Sequence, residues 1–210
     1  MNTPLDLEPT RNFFREKLEV HGATTRAMDY NSTHSQEIRF EQLVNVILKP
    51  DEKYTLIDYG CGYGALYDYL LKKGHNLDYS GYDILEEMVR AGRAAHDQPN
   101  CRFTSDLTSL PTADYVVASG VFNKRFEANN EEWTAYLLDS IAAMNRLSSK
   151  GFSFNCLTGY SDASHMRPDL YYADPLFLFD HCKQNYAKNV ALLHDYGIYD
   201  FTILVRKERD

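Results

Sequence analysis

The 210-residue chain has no apolar run approaching the roughly 20 residues that a membrane-spanning helix needs. Its opening stretch, MNTPLDLEPTRNFF, lacks a positively charged segment followed by an apolar core, so no secretory signal is expected. Cysteine is sparse: Cys61, Cys101, Cys156 and Cys182 stand far apart with no C-x-x-C pair. That spacing argues against a disulfide framework or a metal site and for a reduced, cytoplasmic protein. Basic charge is short as well. Against 30 Asp and Glu there are 22 Lys and Arg, a net charge of −8, which leaves no broad basic face for phosphate backbones and disfavours a nucleic-acid partner. Neither a low-complexity linker nor an internal repeat divides the chain, so one domain over residues 1–210 is expected.

What is present is an ordinary globular balance, 44% apolar and 25% charged, enough to bury a sizeable core. Residues 1–9 read as a frayed tail, with Pro4 and Pro9 discouraging regular structure. Thr10 could cap a helix over 11–20, and Ser32 or Ser35 one over 35–48, where Ile38, Leu43, Val46 and Ile47 recur at helical spacing. From Tyr54 onward, strand-like runs near 54–59, 77–82, 101–104, 113–119 and 150–157 alternate with helix-like ones near 64–73, 85–96 and 130–147. Such alternation predicts βαβ units, hence an α/β fold with a mostly parallel sheet and helices on both faces. The rhythm then breaks. Runs over 189–194 and 199–205, joined through Gly197, predict a terminal antiparallel hairpin.

The most informative stretch is YTLIDYGCGYGALYDYL, residues 54–70: a short apolar strand, Asp58, three glycines at 60, 62 and 64, then an amphipathic helix. Glycines there permit φ > 0 and let a ligand lie against the main chain, as at the nucleotide-binding corner of an open α/β sheet. A dinucleotide fingerprint is the rival, but Gly64 is extra to it and an acid precedes the turn. The string D-Y-G-C-G-Y-G resembles the first motif of class I S-adenosylmethionine-dependent methyltransferases. The resemblance implies a Rossmann-like seven-stranded sheet, S-adenosylmethionine as cofactor, and methyl transfer to an O, N or C centre of a small molecule. It covers about residues 36–205. The stretch from Tyr30, YNSTHSQEIRFEQLVNVI, is similar to the N-terminal segment of a bacterial small-molecule subgroup.

The resemblance implies the cofactor contacts. Asp58, Gly60, Cys61, Gly62 and Gly64 would form the turn. Asp83, with Ile84 and Met88 behind it, would accept the ribose hydroxyls; a helix cap is the alternative for that carboxylate. Ser105, Asp106 and Leu107 would meet the adenine, unless Asp106 is a plain turn residue. Ser119 and Gly120 leave room for the methionine portion, and the ASGVFN string in place of N/D-P-P-Y argues against base methylation. Arg39, with Gln36 one turn earlier, would fork onto the cofactor carboxylate; a surface pair with Glu37 or Glu41 is the alternative.

The substrate half is expected in two places, an N-terminal helical lid over 1–48 and an insert near 158–175 in the core that begins at 49. Tyr30, Phe122, Asn123, Tyr160, Arg167, Tyr171 and Tyr172 are its candidate residues. His165 is the candidate base, should one be needed, against the alternative of a solvated loop histidine. Asn123 could instead cap the following helix. A NAD-dependent oxidoreductase and a cofactor-binding protein without turnover remain as alternative functions, and a homodimer stays open.

Overall fold

A computed structural model describes residues 5–207. Seven strands, β1 (Tyr54–Tyr59), β2 (Leu77–Tyr82), β3 (Cys101–Thr104), β4 (Ala113–Ala118), β5 (Ser148–Leu157), β6 (Asn189–Leu193) and β7 (Asp200–Arg206), form one sheet in the order β3-β2-β1-β4-β5-β7-β6. The first five run parallel, and β7 lies antiparallel between β5 and β6. The helices are α1 (Glu8–His21), α2 (Thr33–Val44), α3 (Ala65–Lys72), α4 (Glu86–Ala95), α5 (Asn130–Leu147) and α6 (Pro175–Asn185). The expected α/β architecture and its terminal hairpin are therefore present, with strand bounds within two residues of those read from the pattern. Among the described residues, no helix is long and apolar enough to cross a membrane.

Successive strand residues face opposite sides, and β1 is buried on both. Leu56 packs with Phe40, Leu70 and Val117 on one face; Ile57 packs with Leu137, Phe152 and Ile203 on the other. All eight side chains are at most 4% exposed. Each such aliphatic or aromatic side chain contributes roughly 1.5–3 kcal/mol by leaving water, which is why an almost unbroken apolar run here reads as a central parallel strand.

The N-terminus corrects the expectation. The helix begins at Glu8 rather than after Thr10, with Pro9 in its first turn, where a missing N–H costs nothing; residues 1–4 of the expected tail lie outside the described residues. Ser32 caps α2 by accepting from Ser35 N at 3.1 Å, and the helix stops at Val44. Since β1 is flanked by β2 on one side and β4 on the other, strand order reverses between β1 and β4. The carboxyl ends of those two strands are where such a sheet opens a crevice.

Candidate active site

The glycine turn after β1 is tied to the neighbouring strand by backbone hydrogen bonds. Gly60 N and Cys61 N both donate to Tyr82 O, at 2.7 and 2.9 Å, which fastens the turn to the end of β2. Gly60, Gly62 and Gly64 have φ of 80°, 54° and 96°, values that only glycine adopts without strain. Space is as demanding as backbone angle. A Cβ on Gly60 would strike Val121 Cγ2, and one on Gly62 would strike the Met28 thioether. On Gly64 it would meet Phe103 and His96, so that glycine serves packing behind the turn.

Asp83 closes the turn from the neighbouring strand end. Its Oδ2 accepts from Gly62 N and its Oδ1 from Leu85 N, both at 2.9 Å. Burial raises its pKa, and the Leu85 and Gly62 N–H groups oppose that shift. A carboxylate offers about four acceptor positions, so two remain after the two backbone bonds. Asp83 thus braces the approach to α4, whose N-cap is Leu85, and lines the cavity. Asp58 sits deeper. It is 2% exposed, accepts from the Tyr79 hydroxyl at 2.7 Å, and burial pushes its pKa up to about 7.

A cavity opens over this turn; the empty space in it and in its open mouth together is about 770 Å³. Of the expected residues, Gly60, Asp83, Ile84, Met88, Ser119, Gly120 and Tyr30 line it. Tyr30 reaches in from the segment before α2; its hydroxyl lies 3.2 Å from Ser119 Oγ and fills the space a Cβ on Gly120 would need. Cys61 is buried beside the turn, its thiol donating to Gly62 O at 3.3 Å and its pKa pushed well up by burial, which suits a packing role.

Other expectations are corrected. Arg39 forks onto Asp200 of β7, Nε–Oδ2 at 2.6 Å and Nη2–Oδ1 at 3.1 Å, while Nη1 donates to Ser35; neither Glu37 nor Glu41 is its partner. Its fork is therefore closed on a protein carboxylate, with the guanidinium 5.1 Å over the Tyr30 ring. Gln36 is buried and accepts from the Thr25 hydroxyl. Asp106 does not line the cavity; it is exposed and accepts from both Thr108 N and the Thr108 hydroxyl, which lower its pKa. Ser105 donates to Glu86, and Leu107 packs against the core on the α5 side.

The insert misses the cavity altogether. His165 is exposed, 3.9 Å from Asp162 and beside Tyr199. Tyr160 is 69% exposed against His194, Arg167 pairs with Asp169, and Tyr172 accepts from Arg167 N. Tyr171 is buried with its hydroxyl on Thr134. Phe122 is a core residue, and Asn123 accepts from Leu157 N, bracing β5 rather than capping α5. The cap of α5 is Asn129, in a reciprocal box with Glu132. The physical reason is that the insert spends its polar groups on itself and on the loop after β4, through the Lys124↔Leu170 and Thr158↔Ala173 bridges.

The cavity wall that sequence reading missed comes from α1 and from aromatic residues. Leu7, Thr10, Arg11 and Phe14 line it; their spacing of three, four and seven is one helix face, and that periodicity was the available signal. Tyr59 and Tyr82, adjacent to Gly60 and Asp83, stack at 5.1 Å, and Trp133 and Tyr136 of α5 lie alongside.

Known proteins match this arrangement. A family profile described as a methyltransferase domain matches residues 57–147. The Mycobacterium tuberculosis protein named "Putative methyltransferase Rv1506c" is 52% identical over 162 residues, 77% of this chain and 98% of that one. Among solved structures, magnesium protoporphyrin IX methyltransferase from Synechocystis, crystallised with bound SAH, superposes with a TM-score of 0.66 at 16% identity, over 97% of this chain and 100% of that one. Human N-acetylserotonin methyltransferase in complex with SAM gives a TM-score of 0.65 at 14% identity, over 98% and 61%.

Proposed function

The chain belongs to the methyltransferase family, and from that premise we propose that it transfers the methyl group of S-adenosylmethionine to a small molecule bound in the cavity beneath α1. Its sheet, with β7 antiparallel between β5 and β6, is the class I fold of such enzymes. The oxidoreductase alternative falls with the family assignment.

The observation that carries the reading is Asp83: a carboxylate held rigid by Gly62 N and Leu85 N, with two acceptor positions left at the cavity beside a glycine turn. Those positions suit the paired hydroxyls of a ribose. Gly60 would let the main chain approach the nucleoside, Ile84 and Met88 would supply an apolar wall, and the small Ser119–Gly120 step would leave room near the sulfur. When bound, the cofactor supplies a methyl group already activated on a sulfonium. The protein's remaining work is to place an acceptor in line with it, roughly 3–3.5 Å away, and to keep water out. Helix α1 is suited to the second task. It has no fully buried residue and rests over the cavity through half-buried Phe14 and Leu18 and partly solvated pairs such as Arg15–Glu87, worth no more than about 1 kcal/mol. The cover is thus α1 and the loop after it, rather than the whole of residues 1–48.

Calorimetry with S-adenosylmethionine tests the assignment. Asp83→Ala removes charged hydrogen bonds worth about 1.5–3 kcal/mol and should weaken binding roughly 10- to 100-fold. Gly62→Val should abolish it, because Met28 occupies the space and φ is 54°. Circular dichroism should show both variants folded. Unchanged affinity in both would sink the site.

A further inference from the structure

Lys124, in the loop after β4, lines the cavity and is 7% exposed. Its ammonium lies 3.0 Å from Asp29 and 3.2 Å from Asp169, and 4.5 Å from the centre of the Phe13 ring on α1. Neither carboxylate belongs to Lys124 alone. Asp29 also binds Lys17 at 2.9 Å, and Asp169 also binds Arg167. Three cations therefore share two carboxylates, so the cluster as a whole carries one net positive charge, and Lys124 is the member that lines the cavity. Asp29 is held at φ 59°, a left-handed conformation costly for a non-glycine residue, so the cluster is fixed in place at the expense of local strain.

The rest of the lining gives the complementary half. Among the described residues that line the cavity, Asp83 is the one carboxylate, and none is His, Cys or Glu. Four tyrosines line it, and burial raises the pKa of Tyr30, Tyr59, Tyr82 (to about 12) and Tyr136, so all four stay protonated at neutral pH. A site with a buried cation, whose one lining carboxylate is held by Gly62 N and Leu85 N, is poorly made for an acceptor that must first lose a proton, such as an ammonium, alcohol or phenol. It is well made for one that arrives anionic. Phe14, Trp133 and Val121 offer that acceptor an apolar surround.

Resting on the methyl-transfer reading above, we propose that the acceptor is a carboxylate on an apolar body, bound through Lys124, and that the product is its methyl ester. A carboxylate oxygen forms the new O–CH₃ bond as the C–S bond breaks, and the electron pair of that bond stays on sulfur. Anion and sulfonium become neutral ester and thioether. No proton is released, in keeping with a cavity whose one carboxylate is held by backbone N–H groups.

The test uses the full chain saturated with S-adenosylhomocysteine and titrates phenylacetate, 2-phenylethanol and phenethylamine, a set sharing one apolar body. The expected result is binding of phenylacetate alone. Lys124→Met should weaken it roughly tenfold or more while the S-adenosylhomocysteine affinity changes less than about twofold, and Lys124→Arg, which keeps the charge, should retain most of it. With methyl-labelled S-adenosylmethionine, label transferred to acid should be released by alkali as methanol. Equal or better binding of the alcohol or amine, or no phenylacetate binding, overturns the proposal. So does an equal loss of S-adenosylhomocysteine affinity in Lys124→Met, since the ammonium would then be holding the methionine carboxylate. Failure of S-adenosylhomocysteine to bind the wild-type chain would instead strike the methyl-transfer reading itself.

Discussion

Helices α1 and α2 are neighbours in sequence and opposites in attachment. Helix α1 has no fully buried residue and rests on the body through half-buried Phe14 and Leu18, the Arg11 Nε–Ile84 O hydrogen bond and the partly buried Arg15–Glu87 pair. Helix α2 buries Gln36, Arg39, Phe40 and Leu43, and its Arg39 is locked to the fully buried Asp200. The difference teaches where the N-terminal segment can move. A helix held by half-buried side chains and partly solvated pairs lifts at less cost than one anchored by a buried ion pair, which moves only with the core. Met28 and Tyr30, in the loop between the two, reach Gly62 and Gly120.

The largest expected effect sharpens that contrast. Asp200→Ala leaves the Arg39 guanidinium buried without its partner, at a cost of about 3–5 kcal/mol. Urea denaturation should show it, and a loss no greater than that of an α1 variant would break the comparison. A smaller effect should come from acid. Glu87 is held below the ordinary range by the hydrogen bond from Arg15; at Asp29, burial pushes the pKa up but the Lys17 and Lys124 bonds pull it further down. A carboxylate with a depressed folded pKa contributes stability above its free value, 4.5 or 3.8 here, and loses it as pH falls through the folded value. Limited pepsin digestion from about pH 4.5 downwards should therefore cut residues 22–31 before α2 is touched. Simultaneous loss of both helices would count against separate attachment. The smallest is Arg15→Ala, which should change global stability by under about 1 kcal/mol yet speed trypsin cleavage at Arg26.

Much of the fold was legible because burial on both faces of β1 and β4 demands apolar runs, and the helices between them keep a 3.6-residue period. The glycine turn and Asp83 were legible for a related reason, since their chemistry is local. Arg39 was not. Its helix face could be read, but its partner Asp200 lies 161 residues away, and no local pattern announces which strand start will face which helix. The insert failed similarly. A loop rich in Tyr, His and Arg looks like a ligand surface until Tyr171, Asp169 and Leu170 are seen bracing the chain after β4. Its one tie to the cavity is Asp169, through Lys124.

Because β7 runs against its neighbours, its first residue, rather than its last, stands at the ligand end of the sheet. Asp200 there touches Arg39, and also Asn155, whose side-chain oxygen receives Gly120 N at 2.8 Å. Seven residues of strand separate that end from Arg206, about 20 Å at the usual rise. A dye attached at Arg206 would consequently sit at the opposite end of the sheet from the cavity, where it leaves the mouth unobstructed.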